Sequence, residues 1–350
     1  MTPMRVVVTG GAGFIGSHIV EQLAAEGHDV VVVDSLDPAA HSGPPTKLCK
    51  GVDYRWTDVA DARSWLDALD GADAVCHQAA KVGLGVDFSD VRSYVHANDL
   101  GTAVGLWALD HVGFTGRLVL ASSMVVYGEG AYRCRRHGPV RPAPRRRDEL
   151  ERGQFEPSCP RCGAALEPGV VTEDAAVDPR SVYAATKVHQ EHLVRAFARE
   201  HDIPATILRY HNVYGPRMPR DTPYAGVASI FRSALAAGRP PQVFEDGGQR
   251  RDFVHVSDVA RANLLALTTP TPYDGALNVA SGHPVTILEV AEALVSAHGG
   301  PPPEVGGGYR LGDVRHIVAD PARAAAGIGF RAHVHPAEGL RRFADDPLRA

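Results

Sequence analysis

The sequence has few cysteines and no long apolar run, and both absences limit the classes of protein to which it can belong. Five cysteines among 350 residues are too few for a disulfide-stabilised scaffold. No apolar segment approaches the roughly 20 residues that span a bilayer. The chain also does not begin with a basic segment followed by a long apolar one, so we expect no signal peptide. These absences favour a cytoplasmic protein that does not associate with membranes.

A strong excess of positive charge is also absent. The net charge of -5 gives no basis for binding nucleic acid. Hydrophobic residues make up 44% of the chain, which is enough for a large core. The length indicates one large domain or two closely joined domains.

A glycine-rich turn between a strand and a helix stands near the start of the chain. Residues 4–9 are predicted to form a buried strand, Gly10-Gly-Ala-Gly13-Phe-Ile-Gly16 the turn, and residues 17–26 a helix. A second strand, 30–33, ends at Asp34. The glycines let the backbone approach a pyrophosphate at the helix N-terminus, and the carboxylate can accept hydrogen bonds from the adenosine ribose. No arginine stands beside Asp34, which favours NAD over NADP because a 2′-phosphate would be repelled.

Strands and helices continue to alternate as far as residue 122. The further predicted elements are strands at 54–58, 72–77 and 117–122 and helices at 61–69 and 91–111. This alternation predicts an α/β fold, a Rossmann-type doubly wound parallel sheet. Ligands of such sheets bind beyond the carboxyl ends of the strands, where Gly10, Asp34, Asp58, Ala79 and Ser123 fall.

The second half of the chain is less regular. We predict a helix from Tyr183 to about residue 200 and a strand at 204–209. The division that follows is an NAD-binding domain, 1–210, and a smaller C-terminal domain, 211–350, that mainly binds the substrate. Residues 251–269 are expected to return to the NAD-binding domain.

Residues 130–171 differ in composition from their surroundings and are predicted to be an insertion. Cys134-Arg-Arg-His137-Gly and Cys159-Pro-Arg-Cys162-Gly place two pairs of metal ligands at zinc-knuckle spacing. Cys134, His137, Cys159 and Cys162 would close a tetrahedral shell, so the predicted zinc is structural. The alternative is a set of incidental surface cysteines. Arg145-Arg-Arg147 is interpreted as a solvated loop, with phosphate contact as the alternative.

Tyr183 and Lys187 stand four residues apart on the predicted helix. They would share one helix face, and a nearby ammonium is expected to lower the tyrosine pKa from about 10. Such a tyrosine could accept and donate a proton near neutral pH. Helices also contain this spacing by chance, so the pair gains meaning from the cofactor motif upstream.

The motifs in combination resemble a known family. They are Thr9-Gly-Gly-Ala-Gly-Phe-Ile-Gly16, His77-Gln-Ala-Ala80, Asn98, Ser122-Ser123, Tyr127-Gly128, Tyr183 with Lys187, and Asn212-Val-Tyr-Gly-Pro-Arg217. This set is similar to the extended short-chain dehydrogenase/reductase family, in its NAD-dependent nucleotide-sugar epimerase/dehydratase branch. The match covers nearly the whole chain apart from the insertion.

The resemblance implies a role for each matching residue. It assigns catalysis to Ser123, Tyr183 and Lys187. It implies that NAD is tightly bound and assigns the binding of NAD to Gly10, Gly13, Phe14, Ile15, Gly16, Asp34, Asp58, Val59, Ala79, Ala80, Asn98, Ser122, Tyr183 and Lys187. It assigns binding of the nucleotide-sugar substrate to Lys81, Gly83, Ser123, Asn212, Arg251, Arg310 and Asp313. The last four of these residues would hold the nucleoside diphosphate. Asn98 has the alternative role of bracing the strand ends.

The residues after Ser123 select among the reactions of this family. Sugar 4,6-dehydratases of the family carry an Asp-Glu pair there and decarboxylases a Glu, whereas this chain has Met124 and Val125. Neither side chain can transfer a proton, so epimerisation, most often at C4, is the expected reaction. A keto-sugar reductase that consumes NAD(P)H and a non-catalytic nucleotide-binding scaffold are the alternatives.

Two further features bear on the substrate and the assembly. Val82-Gly-Leu-Gly85-Val and the insertion resemble the dTDP-L-rhamnose 4-epimerase subgroup, with UDP-glucose or UDP-glucuronate 4-epimerases next. The insertion follows the fifth strand, so we hypothesise that it shapes or lids the sugar end of the cleft. The family also implies a homodimer that pairs helices 91–111 and 180–200.

Overall fold

Strand and helix alternate along the first third of the chain, as the sequence predicts. The computed structural model describes residues 2–38, 40–41, 43, 45, 47–83, 88–220 and 226–349. Its first elements are β1 (Arg5–Thr9), α1 (Phe14–Ala25), β2 (Asp29–Asp34), β3 (Asp53–Trp56), α2 (Ala62–Ala68), β4 (Ala74–His77), α3 (Val91–Tyr94), α4 (Gly101–His111) and β5 (Arg117–Ser123). Part of the motif Val82–Val86 lies outside the described residues.

The rest of the chain adds eleven more strands and seven more helices to the described part. These elements are β6 (Tyr132–Cys134), β7 (Gly138–Val140), α5 (Arg147–Glu151), β8 (Glu167–Pro168), α6 (Val182–His201), β9 (Ala205–Tyr210), β10 (Asn212–Tyr214), α7 (Val227–Ala236), β11 (Gln242–Val243), β12 (Arg250–His255), α8 (Val256–Thr268), β13 (Gly275–Val279), β14 (Pro284–Thr286), α9 (Ile287–His298), β15 (Glu304–Val305), β16 (His316–Ile317), α10 (Ala322–Ile328) and α11 (Pro336–Phe343).

Seven of the strands form one parallel sheet in the order β3-β2-β1-β4-β5-β9-β13. β1 lies between β2 and β4, and its Val7 pairs with both Val31 and Val75. The strand order reverses at β1, which opens a crevice at the carboxyl ends of β1 and β4. The doubly wound sheet predicted from the sequence is therefore present.

Alternate residues of β1 pack into two different cores, one on each face of the sheet. Val6 and Val8 belong to the core that contains Ile19 of α1. Val7 belongs to the opposite core, which contains Trp65 of α2. Each fully buried valine contributes about 1.5–3 kcal/mol. Burial on both faces explains why the strand is a continuous apolar run.

Strand β13 extends the sheet and was not predicted from the sequence. Gly275–Val279 pairs in parallel with β9, so that Leu277 lies opposite Leu208. Only residues 251–269 were expected to return to the sheet domain, whereas β13 also belongs to it. The strand is short and contains the polar Asn278, so it lacks the apolar run that identified the other strands. The domain boundary at residue 210 stays a prediction.

A third apolar core lies among the elements of the C-terminal part. Phe231 of α7, Leu294 of α9 and Leu340 of α11 pack together with Phe253 of β12. β12 also carries the neighbouring small sheet, since β10, β14 and β16 all pair with it. This arrangement places the loop before β16 next to Arg251.

The helix predicted at 91–111 is present, but its hydrogen bonding changes in the middle. A π-helical segment, Val95–Leu100, joins α3 to α4. Such segments widen a helix by one residue per turn and often lie at functional sites. Here the segment contains Asn98, which is fully buried.

The insertion forms a small unit of its own. β6 pairs with β7 and β8 in a three-stranded antiparallel sheet. Its buried core contains only Tyr132, Cys134, Cys159 and Leu166. Four side chains are a small core for a segment of this length, so the insertion depends on other contacts for its stability.

The sequence also predicted that the chain has no membrane span. Within the described ranges, no helix has both the length and the apolar character needed to cross a bilayer. The helix α6 has 20 residues, but Lys187, Glu191 and Arg195 lie along it.

Candidate active site

The glycine-rich turn packs so closely that side chains are excluded at two of its positions. Gly10 has a φ of +67°, and a Cβ there would lie 2.8 Å from the nitrogen of Ala79. A Cβ on Gly16 would lie 2.0 Å from the carbonyl oxygen of Gly10. Gly13 is the N-cap of α1 and supplies no side-chain cap. The first N–H groups of α1 therefore remain available to an anion, and these residues fit the pyrophosphate of a dinucleotide.

Asp34 ends β2 beside this turn. Its Oδ2 accepts a hydrogen bond from the nitrogen of Ala12 at 2.9 Å, and its Oδ1 accepts one from Leu36 at 2.9 Å. Arg349 reaches the same turn, where its Nη1 donates to the carbonyl oxygen of Ala12 at 2.9 Å. An arginine is therefore close to Asp34 in space although none is close in sequence. No local pattern could have identified Arg349, because it lies at the opposite end of the chain.

A cavity of about 1560 Å³ opens over the carboxyl ends of the central strands. Arg349 and Met124 line it, as do seventeen of the residues predicted for the site. These are Gly10, Gly13, Phe14, Ile15, Gly16, Asp34, Asp58, Val59, Ala79, Ala80, Lys81, Gly83, Ser122, Ser123, Tyr183, Lys187 and Asn212. The cavity is large enough for a dinucleotide together with a second ligand.

Tyr183 and Lys187 lie in the first turns of α6, which begins at an N-cap. The Oγ of Ser181 accepts a hydrogen bond from the nitrogen of Ala184 at 3.1 Å. The Nζ of Lys187 lies 6.0 Å from the centre of the Tyr183 ring and donates to the carbonyl oxygen of Ala121 at 2.9 Å. The cap and this bond fix both side chains at the end of β5.

The pKa of Tyr183 does not shift in the direction expected from the sequence. Burial raises the pKa of Tyr183 to about 12, and the neighbouring Ser123 opposes that shift only in part. Burial also lowers the pKa of Lys187 to about 7, although Glu191 and Asp99 favour its charged form. Both groups are pushed toward their neutral forms, because desolvation is the largest contribution to each shift. The prediction from spacing was wrong because spacing does not report burial.

The two serines at the end of β5 have different partners. Ser123 lies beside Tyr183 and lowers its pKa, and the Oγ of Ser123 accepts from the nitrogen of Val125 at 3.4 Å. Ser122 donates instead to Oε1 of Glu191 at 2.5 Å. Met124 follows and lines the cavity. An apolar side chain therefore stands where the resemblance places the first acidic residue of the 4,6-dehydratases.

A buried ion pair beneath the site was missed in the sequence. Arg209 of β9 donates to Glu191 through Nε at 2.9 Å and through Nη2 at 2.7 Å. Its Nη1 donates to the hydroxyl of Tyr127 at 3.0 Å. Glu191 stands one helical turn beyond Lys187, a spacing that could have drawn attention to it. The bidentate pair ties α6 to β9 directly below the cavity.

Asn98 braces the cavity wall and is not among the described residues that line the cavity. Its Oδ1 accepts from the nitrogen of Lys81 at 2.7 Å, and its Nδ2 donates to Oγ1 of Thr186 at 2.9 Å. The structure thus joins the end of β4 to α6 through this amide. These contacts agree with the alternative role of Asn98, which is to brace the strand ends. Direct contact between Asn98 and a cofactor stays a prediction.

The residues expected to hold the nucleoside diphosphate are only partly brought together. Arg251 donates to the carbonyl oxygens of Val314 at 2.6 Å and Arg315 at 2.9 Å, and lies 3.5 Å from Asp313. Arg310 is exposed. Arg251, Arg310 and Asp313 are absent from the described lining of the cavity. Their role toward a substrate stays a prediction.

The four predicted metal ligands converge within the insertion. Their ligand atoms all lie within 4.8 Å of one another. The Nδ1 of His137 lies 3.5 Å from the sulfur of Cys134 and 3.5 Å from that of Cys159, and the sulfurs of Cys134 and Cys162 are 3.8 Å apart. Tetrahedral Zn–S bonds of about 2.3 Å place two sulfurs about 3.8 Å apart, whereas a disulfide needs about 2 Å.

The glycine after each ligand pair has a geometric reason. Gly138 has a φ of +69° and Gly163 a φ of +70°, a conformation that favours glycine. The nitrogen of Gly163 donates to the carbonyl oxygen of Cys159 at 2.8 Å, which closes the turn around that ligand. This convergence agrees with the predicted metal site, and the metal itself stays a prediction.

Comparison with known proteins gives a consistent result. The model of the NAD dependent epimerase/dehydratase family matches residues 6–280. A dTDP-L-rhamnose 4-epimerase of Burkholderia thailandensis is 34% identical over 338 residues, which cover 93% of this chain and 90% of that protein. A UDP-glucose 4-epimerase of Mycolicibacterium smegmatis is 30% identical and covers 97% of each chain.

A solved structure shows the same architecture. The UDP-glucose 4-epimerase of Thermus thermophilus, in complex with NAD, superposes with a TM-score of 0.79 at 33% sequence identity. The match covers 98% of both chains. Sequence, fold and site agree, and the chain belongs to the NAD dependent epimerase/dehydratase family.

Proposed function

We propose that this protein is an NAD-dependent nucleoside-diphosphate-sugar epimerase that inverts C4 through a transient 4-keto sugar. The observation that carries the proposal is the pairing of Ser123 with Tyr183 in a cavity where Met124 replaces a carboxylate. The family and the epimerases among its relatives support this interpretation.

Each side chain then has a defined task. Ser123 and Tyr183 hydrogen-bond the reacting hydroxyl, and Tyr183 takes its proton and later returns it. Lys187, when protonated, favours the phenolate form of Tyr183. Bound NAD supplies the exchange of hydride with the carbon that carries this hydroxyl.

Inversion requires no acid or base beyond Tyr183. Dehydration and decarboxylation need a further proton donor or acceptor near the sugar, and Met124 and Val125 cannot serve. A keto-sugar reductase is the second candidate, because the same Ser123–Tyr183 pair would serve it, but it would consume reduced cofactor. A scaffold without activity would have no use for Tyr183 at the cavity wall and the buried Lys187, both pushed toward neutral forms.

The substrate is proposed from the relatives. A dTDP-L-rhamnose type stands first, and a UDP-glucose or UDP-glucuronate type second. Lys81, Gly83 and Asn212 line the cavity and are proposed to contact the nucleotide sugar. A homodimer, a cytoplasmic location and the absence of membrane and nucleic-acid partners remain part of the proposal.

A panel of nucleotide sugars tests the proposal directly. The purified protein, with no added cofactor, is expected to interconvert one sugar and its 4-epimer, resolved by NMR. Tyr183→Phe should abolish turnover and still retain NAD, as measured by absorbance after denaturation. A strict requirement for stoichiometric NAD(P)H would favour the reductase, and full turnover by Tyr183→Phe would refute the role of Tyr183.

We also propose that Cys134, His137, Cys159 and Cys162 bind a structural zinc ion. The distances between the ligand atoms and the small core of the insertion support it. Cys162→Ser is expected to lose the metal, measured by atomic emission, and to lower the melting temperature. Cys49→Ser is the matched control, since Cys49 is a free thiol outside the cluster. Equal metal content in both variants would contradict the site.

A further inference from the structure

Arg145 connects the insertion to the loop that precedes β16. The sequence indicated a solvated position, but the Arg145 side chain is only 5% exposed. Its Nη1 donates to Oε1 of Glu245 at 2.8 Å, and its Nη2 donates to the carbonyl oxygen of Asp313 at 2.7 Å. Its neighbour Arg146 lies on the surface and pairs with Asp148. A buried arginine thus fixes the backbone at Asp313.

Two further side chains of the insertion hold the same loop. The nitrogen of His316 donates to the hydroxyl of Tyr132 at 3.1 Å. Glu156 accepts from Nε of Arg315 at 2.8 Å and lies 2.9 Å from Nε2 of His316. The insertion therefore contacts three positions of the segment 313–316.

These contacts start next to the metal ligands. Tyr132 and Cys134 both lie in β6, and Glu156 comes shortly before Cys159 in the chain. A metal that joins Cys134 to Cys159 would hold the two contacting segments in a fixed relation. Without it, the insertion keeps only the small core described above.

The segment 313–316 contacts and includes residues that are expected to bind the nucleoside diphosphate. Arg251 donates to the carbonyl oxygens of Val314 and Arg315 and lies near the carboxylate of Asp313. A shift of segment 313–315 would therefore move the guanidinium of Arg251. No residue of the insertion belongs to the described lining of the cavity. The hypothesis that the insertion forms a lid over the sugar thus gains no support.

We propose that the metal-bound insertion is a positioning device that sets the affinity for the nucleoside diphosphate part of the substrate. This inference rests on the proposed function for the assignment of Arg251 and Asp313. Arg145, Tyr132 and Glu156 act through the loop and do not touch the substrate. The device controls binding and leaves the chemistry at Tyr183 unchanged.

Arg145→Gln tests the inference, with Arg146→Gln as its matched control. Glu245 keeps a partner in the variant, because Nη1 of Arg315 also donates to it at 2.9 Å, so the fold should survive. Calorimetry with thymidine diphosphate and uridine diphosphate is expected to show about a tenfold rise in Kd for Arg145→Gln and none for Arg146→Gln. The KM should rise with kcat and bound NAD unchanged.

Metal removal provides a second test on the unmutated chain. Wild-type protein treated with a chelator should bind the same diphosphates about tenfold more weakly, and added zinc should restore the Kd. A wild-type Kd in both Arg145→Gln and the metal-free protein would overturn the inference. If wild-type protein binds a diphosphate with this metal dependence but interconverts no sugar, the proposed function fails and the positioning device stands.

Discussion

Tyr183 and Lys187 share one face of α6, with 6.0 Å between the ammonium and the ring centre. Burial raises the pKa of Tyr183 to about 12 and lowers the pKa of Lys187 to about 7. The proposed proton transfer by Tyr183 therefore requires positive charge close to its phenol oxygen, because such charge favours the phenolate.

The two adjacent serines give a prediction at the residue scale. Ser123→Ala removes the hydroxyl that lies beside Tyr183 in the cavity and is expected to lower kcat about 100-fold. Ser122→Ala leaves Glu191 paired with Arg209, so kcat should stay within a few-fold of the wild type. Steady-state kinetics on both variants provide the comparison. Equal losses in the two variants would refute the separate roles.

Arg349 gives a second prediction at this scale. Its guanidinium lines the cavity beside the glycine-rich turn, so its charge favours a bound pyrophosphate. Arg349→Gln is expected to lower the NAD content of the purified protein, measured chromatographically after denaturation. Arg342→Gln is the control, since Arg342 is exposed and pairs with Glu338 on the surface. Unchanged NAD content in Arg349→Gln would remove Arg349 from the cofactor site.

At the scale of elements, α6 and β9 are joined by a contact that the sequence did not predict. The pattern of the chain indicated both elements, but the pairing of Glu191 with Arg209 depends on how they pack. The same limit applied to Arg145, which stood in an apparently solvated run of arginines. Partners distant in sequence are set by topology, and periodicity within one element does not report them.

The buried ion pair predicts a large loss of stability when one partner is removed. Glu191→Gln leaves the Arg209 guanidinium buried without its carboxylate, which should cost about 3–5 kcal/mol of unfolding free energy. Urea denaturation measures this loss. Glu200→Gln, at an exposed position of the same helix, should change stability little. Similar values for both variants would show that the pair adds nothing.

At the scale of the whole molecule, the sequence predicted the sheet and most of the cavity wall. The motifs at the strand ends identified residues of the cavity wall, because parallel strands bring their carboxyl ends to one edge of the sheet. Residues that reach the site from distant segments, such as Arg349, were missed, as was strand β13. The resemblance assigned Arg251 and Asp313 to the binding of the nucleoside diphosphate. In the structure the Arg251 side chain instead contacts Asp313 and the backbone of the loop.

Buried histidines predict how stability depends on pH. Burial lowers the pKa of His77 to about 3, while the imidazole lies 2.7 Å from Oγ1 of Thr9. The unfolded chain therefore binds a proton that the folded chain excludes between about pH 6.5 and pH 3. Stability should fall as the pH is lowered through this window. Burial also lowers the pKa of His211 to about 3 and of His18 to about 4, which adds to the effect.

Urea denaturation at pH 7 and pH 5 checks this dependence. The contribution of His77 to the loss between these values is about 2 kcal/mol. His77→Gln should reduce the loss by that amount, whatever its effect at pH 7. His192→Gln, at an exposed position, should leave the loss unchanged. An identical pH dependence in His77→Gln and wild type would contradict the account.

The proposed function requires that Tyr183 promotes a reversible oxidation at one carbinol carbon and that no base removes a proton from carbon. Epimerisation of the accepted nucleotide sugar in D₂O, followed by NMR, tests this requirement directly. The 4-epimer is expected to form with ordinary hydrogen at C4 and C5, because only the hydroxyl proton passes through Tyr183. Deuterium at C4 or C5 of the product would refute the proposed mechanism.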